Sequence, residues 1–385
     1  MKYRLFFVAT ALAALFATSR GAAQEEFPFE IFGRYLDPLV AQIGMPGVSA
    51  AIVQTDPLHP LAAPIVHRYN VGYADVERKI PAAFDTPYAI GGVTQAMSGV
   101  LHGVCIDRFT TAVFNIDQLN MRLFVPSFPF AETSVRQVLA HSSDGRFHYD
   151  PQLFAQLTPV VESARCLNKP FRQAMAAEVL DRIPGGMTRS VPGMDLNLPG
   201  SDAARALFDD ATLRRYQAVL SDLAVPYRID SKGKATRSQY PSYGLDAASG
   251  MVSTVEDLVH FETQLDRRDG VPFSASTLDQ MWSNQVFNLT TTGGTTIRLM
   301  TPTGLGWFVT SDSGQPVIWT FGHIPDAASA LIVKISTRET SASVTKKNLT
   351  LIMLANSGGL AKDYDLENAN VTSSPFVKVF LRLFI

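Results

Sequence analysis

Strand-like patterns occupy both ends of this chain, and helix-like patterns occupy its middle. Near the start, Val48–Val53 and Ile65–Tyr73 are rich in β-branched and aromatic residues, with a proline-rich loop between them. Four more such runs lie near the end: Gly306–Thr310, Val317–Phe321, Ala330–Ile335 and Leu349–Ala355. This order predicts an α/β (α+β) protein in which both chain ends build one antiparallel sheet and helices pack on it.

The spacing of apolar residues predicts where the helices lie. From Val93 onward, apolar side chains recur at helical intervals. Ser253–Glu256 has a capping-box sequence, which predicts a helix from there through Leu265. Further helical patterns cover Val135–Ala140, Pro151–Ala164, Phe171–Leu180, Ala203–Leu223 and the apolar run Pro375–Ile385, which is too short to span a membrane.

Length and charge exclude several classes of protein. With 385 residues and 46% hydrophobic content, the chain has enough apolar material for one large domain or two closely associated ones. Its net charge of −2 gives no basic excess, so we expect no nucleic-acid partner. No repeat or flexible linker divides the chain. We predict one domain, 24–385, with a sheet lobe (about 30–92 and 251–385) and a helical lobe (about 93–250).

The first 23 residues have the pattern of a secretory signal peptide. Lys2 and Arg4 precede an apolar run, and the small residues Gly21–Ala23 offer a cleavage site before Gln24. The apolar run is shorter than the roughly 20 residues that a membrane span needs. We therefore expect an exported protein, periplasmic or secreted, with no stable membrane span after cleavage.

Two cysteines, Cys105 and Cys166, are too few for a disulfide scaffold or a cysteine-rich metal site. An oxidising compartment permits one bridge, but nothing in the sequence brings their Cα atoms within bonding distance, so we expect two free buried thiols. The seven histidines show no metal-ligand spacing, and we expect neither a metal nor a cofactor. Three sequons, at Asn288, Asn348 and Asn370, are interpreted as chance occurrences.

The stretch Tyr88–Gln95 has the frame of a serine-hydrolase nucleophile turn but lacks the nucleophile. In such a turn a serine and a lysine stand three residues apart at the start of a helix, and the lysine amine takes the hydroxyl proton. Here these positions hold Gly92 and Gln95. Glycine has no side chain to acylate, and a neutral amide is not a base at ordinary pH. The frame therefore predicts an enzyme fold without its covalent chemistry.

The local sequences and their order resemble the serine β-lactamase and penicillin-binding-protein superfamily, specifically its class C-like branch of esterases, peptidases and lactamases. The pieces that carry the resemblance are Met45–Ser49, Val71–Val76, Leu139–Ser143, Gly250–Thr254 and Leu354–Ser357. They extend over nearly the whole mature chain. The resemblance implies a β-lactamase/transpeptidase-like fold, with an antiparallel sheet flanked by helices and a mostly helical inserted lobe.

The second motif of that superfamily, tyrosine-x-asparagine, falls on Tyr149-Asp150-Pro151. In the family, the tyrosine phenol relays protons to and from the nucleophile. Here the tyrosine is kept and proline replaces the asparagine. Two roles for Tyr149 stay open, a buried aromatic with a satisfied hydroxyl and a contact for a ligand.

The third motif is lysine or histidine, any residue, then glycine, and it has two possible registers here. His323–Pro325 keeps the histidine but puts proline, which has no N–H, on a strand that must donate hydrogen bonds to a substrate. Thr320–Gly322 keeps the glycine, and we favour it. In that register Thr320 replaces the cationic or imidazole group.

Two segments carry motif-like lysines and serines in the wrong context. Ser343-Val344-Thr345-Lys346 is a literal serine-x-x-lysine, but it lies in a polar segment between two predicted strands. Ser231–Lys234 lies in a charged stretch without helical periodicity. Such motifs take their meaning from context, and we interpret both segments as loops.

Other residues near the turn are poor replacements for the nucleophile. Thr94 and Ser98 follow Gly92 on a helix and point well away from it, at about 100° per residue. A dyad of His141 with Ser142–Ser143 lacks an identified acid.

The substitutions favour a pseudoenzyme, an exported protein that keeps its cleft and uses it to bind. The resemblance implies a small-molecule acyl ester, peptide or cell-wall fragment as ligand. The residues expected to line the cleft are Tyr149, Trp307, Thr320, Gly322 and His323. Two alternatives stay open: a working hydrolase with activated water or another serine and Tyr149 or His323 as base, and a structural or regulatory partner.

Overall fold

The computed structural model of this protein describes residues 27–242, 244–290, 294–337 and 347–385. The predicted signal segment Met1–Ala23 and the motif-like segment Ser343–Lys346 lie outside these ranges. Within them, no helix is long and apolar enough to cross a bilayer.

Both chain ends contribute strands to one main sheet, as predicted from the sequence. The strands are β1 (Gly47–Thr55), β2 (Ile65–Asp75), β3 (Ile80–Pro81), β4 (Tyr88–Ala89), β5 (Tyr227–Ile229), β6 (Ala235–Arg237), β7 (Val252–Ser253), β8 (Val286–Thr290), β9 (Thr296–Met300), β10 (Phe308–Asp312), β11 (Gln315–Ile324), β12 (Ala328–Ser336) and β13 (Asn348–Ala355). Seven of them form an antiparallel sheet in the order β10-β11-β12-β13-β1-β2-β3. The predicted fold class is confirmed.

The helices lie mostly between the two groups of strands. They are α1 (27–43), α2 (Thr94–Arg108), α3 (Val135–Leu139), α4 (Pro151–Ala155), α5 (Thr158–Glu162), α6 (Phe171–Met175), α7 (Asp202–Arg205), α8 (Asp210–Ser221), α9 (Val255–Arg267), α10 (Ala275–Met281) and α11 (Pro375–Phe384). A π-helical turn, Ala176–Leu180, continues α6. The sheet lobe therefore surrounds a helical insertion.

Alternation along the strands creates a core on each face of the sheet. On β12, Ala330 and Ile332 face the core that contains α2, whereas Leu331 and Val333 face the core that contains α1 and α11. All four are fully buried. Since successive strand residues point to opposite faces, the nearly continuous apolar run of β12 reflects a strand covered on both sides.

Several predicted helices are shorter than their periodicity indicates. The pattern Pro151–Ala164 splits into α4 and α5 because Pro159 lacks the N–H that a continuous helix would need. The pattern Ala203–Leu223 splits because the side chain of Asp209 caps a new helix by accepting from Thr212 N. The cap of α9 is Thr254, one residue later than the predicted Ser253.

The prediction of two free thiols is wrong, because Cys105 and Cys166 form a disulfide. Cys105 lies in the last turn of α2, and Cys166 lies in the loop after α5. Their Cα atoms are 5.2 Å apart although 61 positions separate them in sequence. Helix packing in the inserted lobe brings the two cysteines together, and their spacing in the sequence does not predict this contact.

Candidate functional site

The turn that resembles a nucleophile turn leads from β4 into α2. Residues Gly91–Val93 form a single 3-10 turn, in which Val93 N donates to Ile90 O at 3.2 Å, and α2 begins at Thr94. Gly92 is buried, and Gln95 is 3% exposed in the first turn of the helix. The backbone therefore has the expected strand–turn–helix form with both motif positions enclosed.

Gly92 is packed so closely that a side chain there has no room. A Cβ built on Gly92 would lie 2.7 Å from the carbonyl oxygen of Phe321 and 2.9 Å from the hydroxyl of Tyr149. Real Cβ atoms do not approach oxygen this closely, and the Phe321 oxygen belongs to the main chain of β11. A serine at position 92 would require the strand itself to move.

The end of β11 forms the facing wall of this turn. Pairing with β10 stops at Trp319, so the stretch Thr320–Ile324 presents its free edge to the turn. A Cβ at Gly322 would overlap the carbonyl oxygen of Ile90 and come within 3.0 Å of Gly92 N. Pro325 lies beyond the end of the strand. The glycine facing the turn is therefore Gly322, in the register that the sequence favours.

A chain of hydrogen bonds connects the position of the missing lysine to Tyr149. The main-chain N–H of Asp150 donates to Nδ1 of His141 at 3.3 Å, so this nitrogen accepts and the imidazole proton lies on Nε2. Nε2 then donates to Gln95 Oε1 at 3.0 Å. The amide group of Gln95 in turn donates to the Tyr149 hydroxyl at 3.2 Å. The direction of each hydrogen bond at His141 therefore determines which atom is the donor in the next bond.

Burial keeps this chain neutral. It lowers the pKa of His141 to about 3, so the imidazole carries no charge at neutral pH. It raises the pKa of Tyr149 well above its usual value of 10, and the hydrogen bond from Gln95 offsets this only in part. With an uncharged amide between them, the site has neither a cation nor an accessible phenolate to activate a hydroxyl.

Two helix ends position the members of the chain. His141 follows α3 in the left-handed region, with φ 49°, and Ser142 N donates to Gln137 O in a Schellman motif. Tyr149 directly precedes the start of α4, where the Asp150 side chain caps Leu153 N and Pro151 takes the first helical position. Proline at the asparagine position is therefore explained as the start of a helix.

Aromatic side chains fill the space around Tyr149. Its ring centroid lies 5.2 Å from that of Phe321 and 5.7 Å from that of Phe308. Phe308 in turn stacks on Trp319 at 4.2 Å. Phe308 and Phe321 are each 3% exposed, whereas Tyr149 is partly exposed. The tyrosine therefore lies at the edge of an apolar cluster.

The remaining predicted cleft residues have different surroundings. Trp307 does not join the group around Gly92: it is 1% exposed and packs edge-on against Trp282 in the core. Thr320 is buried within the sheet, opposite Ile332. His323 is partly exposed, but its Nε2 is buried under Gly358 with no hydrogen-bond partner among the described residues.

The hydroxyl groups near the turn are occupied by main-chain partners. Ser98 is fully buried and donates to the carbonyl oxygens of Thr94 and Ala247, while Thr94 Oγ1 accepts from Met251 N. Ser142 Oγ donates to Ala140 O, and His141 Nε2 is bonded to Gln95 rather than to a serine. Among the residues that the structure describes, no serine is hydrogen-bonded to His141.

The role of His141 is not predicted from the sequence, which only argues against a dyad with Ser142–Ser143. The structure shows that His141 orients Gln95 from 46 positions away in sequence. The available signal was the helix end that precedes it, since a polar residue just after a helix is suited to the left-handed conformation. Among the described residues, no group of three or more His, Cys, Asp or Glu side chains is arranged to hold a metal ion.

Several solved structures share this fold at low sequence identity. An octameric penicillin-binding protein homologue from Pyrococcus abyssi is 18% identical, with 86% of this chain and 74% of that chain covered and a TM-score of 0.62. D-alanine carboxypeptidase AmpC from Burkholderia cenocepacia is 15% identical over 93% and 99%, with a TM-score of 0.60. D-amino acid amidase from Ochrobactrum anthropi SV3 is 18% identical over 92% and 98%, with a TM-score of 0.58.

No curated protein matches the chain. The family model described as Beta-lactamase matches residues 32–374, which is most of the chain and includes every position of the site described above. At the identities of the solved structures, the likeness extends to the fold alone. Together, the family match and the fold show that this chain belongs to the Beta-lactamase family.

Proposed function

We propose that this chain is an exported, catalytically inactive member of the Beta-lactamase family that binds a small-molecule, peptide or cell-wall-fragment ligand without attacking it. The observation that carries the proposal is the packing at Gly92. The position of the family's nucleophile has no side chain, and the Phe321 carbonyl oxygen and the Tyr149 hydroxyl take up the space where one would begin.

The loss of the base supports the same conclusion. Gln95 replaces the lysine and is held between His141 and Tyr149 as a neutral amide. Removing one member of a nucleophile and base unit typically costs on the order of 10⁴–10⁶ in rate, and here both are missing. Residual covalent chemistry at this turn would therefore be negligible.

Neither of the two other candidate bases restores activity. Burial raises the pKa of Tyr149, which makes its phenolate rarer rather than more available. Burial lowers the pKa of His323, so its imidazole is neutral, but Nε2 is covered by Gly358 and has no nucleophile to serve. A working hydrolase would need a base that is both neutral and accessible beside the turn.

Export is supported by two features of the chain. The first is the signal-like segment Met1–Ala23, which ends just before the part of the chain that the family model matches. The second is the disulfide between Cys105 and Cys166. Disulfides form and persist in oxidising compartments, such as the periplasm or the medium, and are rare in the cytosol.

Two partly exposed residues lie at the edge of the closed turn. Gln95 donates to the Tyr149 hydroxyl, which leaves the phenolic proton for another acceptor, and Tyr149 is partly exposed. His323 is also partly exposed, at the free edge of β11. The phenolic proton of Tyr149 suits reversible recognition of a carbonyl or carboxylate group, whereas the buried Nε2 of His323 is not available for it.

One experiment tests catalysis and binding separately. The purified mature protein is incubated with a fluorophosphonate and with a fluorescent penicillin, and adducts are measured by intact-mass spectrometry while anisotropy follows non-covalent binding. An active class C β-lactamase serves as the positive control. We expect no adduct, together with an anisotropy increase that dilution reverses.

Each result bears on one part of the proposal. A stoichiometric adduct on the native protein would overturn the inactive assignment, and peptide mapping would identify the nucleophile. If neither an adduct nor an anisotropy change is observed, the ligand-binding part of the proposal is rejected and the inactive assignment is kept. We expect the Gly92→Ser/Gln95→Lys variant to stay unlabelled as well, because the Phe321 carbonyl oxygen blocks the new side chain.

A further inference from the structure

A separate cavity of about 520 Å³ lies at the other end of β11 from the site. It is bounded by the start of β11, the end of α9, the residue after α10 and the loop between β1 and β2. None of the residues around Gly92 contributes to it. Its volume is within the range of about 300–1,000 Å³ that small-molecule sites occupy.

Half of the residues that line this cavity are apolar, and several of them are rigid. Three prolines contribute to them, together with two isoleucines and one tryptophan: Pro57, Pro60, Pro316, Ile318, Ile335 and Trp282. Proline and a packed indole ring lose little conformational entropy when a ligand settles against them. The cavity is therefore suited to the apolar part of a ligand.

The base of the cavity is a buried cluster in which one lysine, Lys334, lies against two carboxyl groups, those of Asp266 and Glu262. Lys334 is 4% exposed, and its Nζ donates to Asp266 Oδ1 at 2.7 Å and to Thr350 Oγ1 at 2.9 Å. Asp266 Oδ2 accepts from Thr55 at 2.7 Å. The Lys334 ammonium also lies 5.2 Å from the centroid of the Trp282 ring. Burial raises the pKa of Glu262 to about 7, so below that pH Glu262 is neutral and Asp266 balances the charge of Lys334. The ammonium also holds the indole ring in place.

One guanidinium group at this cavity has no balancing charge. Arg267 lines the cavity and donates from Nη1 to the neutral Gln264, and within the described ranges it has no carboxylate partner. Its neighbour Arg268, by contrast, is paired with Asp279. The excess at the rim is thus one positive charge on a half-buried planar group that carries parallel N–H donors.

We propose that this cavity binds a small amphipathic carboxylate, with its apolar part between the prolines and Trp282 and its carboxylate on Arg267. A carboxylate matches the fork of a guanidinium in a bidentate pair. A monoanion balances the single excess charge, whereas a more highly charged group would be repelled by Asp266. This assignment is independent of the closed turn at Gly92.

The test compares phenylbutyrate with phenylbutanol, which has the same apolar part but no charge, by isothermal titration calorimetry. We expect phenylbutyrate to bind with a Kd below about 1 mM and phenylbutanol at least about tenfold more weakly. Arg267→Gln, which keeps the length of the side chain and removes its charge, should weaken phenylbutyrate binding by about tenfold or more.

The matched control is Arg68→Gln. Arg68 is also an arginine without a carboxylate partner among the described residues, but it is exposed, lies over Phe84 and is outside this cavity. It should leave phenylbutyrate affinity unchanged. Equal affinity for both compounds, equal losses in both variants, or no heat of binding for phenylbutyrate would each overturn the proposal, provided that both variants keep the native melting temperature.

Discussion

At the scale of single residues, the molecule is most sensitive at Gly92, where the turn before α2 meets β11. Gly92→Ala adds one carbon atom within 2.7 Å of a main-chain oxygen, so the strand or the turn must shift. We expect the free energy of unfolding to fall by about 1–3 kcal/mol, as overpacking a core typically does. Urea denaturation of the purified variant measures it.

The control for this substitution is Gly33→Ala on α1. There the nearest atoms to a new Cβ are ring carbons of Tyr69 at 3.1 Å, which can move by the few tenths of an ångström required. Alanine also favours a helix over glycine by about 1 kcal/mol. We expect Gly33→Ala to be neutral or stabilising. If Gly92→Ala proved as stable as the native protein, the close contact with β11 would be disproved.

The sequence predicted the positions of Gly92 and Gln95 well because a motif depends on local spacing. It did not predict the contact of Gln95 with His141, because that contact depends on how α3 ends and how α2 packs beside it. Trp307 shows the same limit. It is expected to line the cleft, but it follows the Gly304–Trp307 turn and is buried in the core.

At the scale of elements, strands were easier to predict than helices. The strands β11, β12 and β13 contain their predicted runs almost unchanged, because buried strands are continuous apolar segments. Two predicted helices of the inserted lobe are interrupted, one by a proline and one by a capping aspartate. The spacing of apolar residues continues across both interruptions and so does not reveal them. The capping signals were present but were outweighed by the periodicity.

The disulfide joins two of these elements, and its removal should loosen the inserted lobe. Because it closes a loop of about 61 residues, the Cys105→Ala/Cys166→Ala variant should lose about 2–4 kcal/mol of unfolding free energy. Chemical denaturation measures this loss. The native protein under a strong reductant is the matched comparison and should lose a similar amount. Unchanged stability in both would mean that the bridge does not constrain the unfolded chain.

At the scale of the whole molecule, a buried charge cluster ties the middle of the chain to both of its ends. Glu262 and Asp266 on α9 meet Lys334 on β12, and Asp266 also accepts from Thr55 on β1. Glu262 is fully buried, and Lys334 Nζ is 3.4 Å from Oε2. Neither carboxyl oxygen of Glu262 has a hydrogen-bond donor in the described part of the chain.

This cluster predicts a pH dependence of stability. Burial raises the pKa of Glu262 from 4.5 to about 7, so in this range the folded state holds a proton that the unfolded chain has lost. The contribution of Glu262 to the free energy of unfolding should therefore fall by up to about 3 kcal/mol as the pH rises from about 4.5 to about 7, and change little above that. Burial lowers the pKa of His102 and His141, so these two residues add stability as the pH rises over the same range, and the Glu262 contribution must be measured as a difference between variants. Denaturation at a series of pH values measures the slope.

Two variants isolate the contribution of Glu262. Glu262→Gln keeps the shape of the side chain without the ionisation, so the native protein should lose stability relative to this variant over the same range. The exposed residue Glu132 serves as the control, and Glu132→Gln should follow the native profile. Parallel profiles for the native protein and Glu262→Gln would assign the pH dependence to other groups.

The one-way hydrogen bonds from Asp150 through His141 and Gln95 to Tyr149 also restrict which sequences are accessible to evolution. The first donor is a main-chain N–H, which no substitution can reverse. A lysine in place of Gln95 would place its ammonium, a donor, opposite the Nε2–H donor of His141. If His141 carried its proton on Nδ1 instead, that N–H would face the main-chain N–H of Asp150. A serine side chain at position 92 would clash with the main chain of β11. Each single step toward the serine and lysine of the family motif is therefore unfavourable alone, and a sequence like this one acquires that pair only through several changes that occur together.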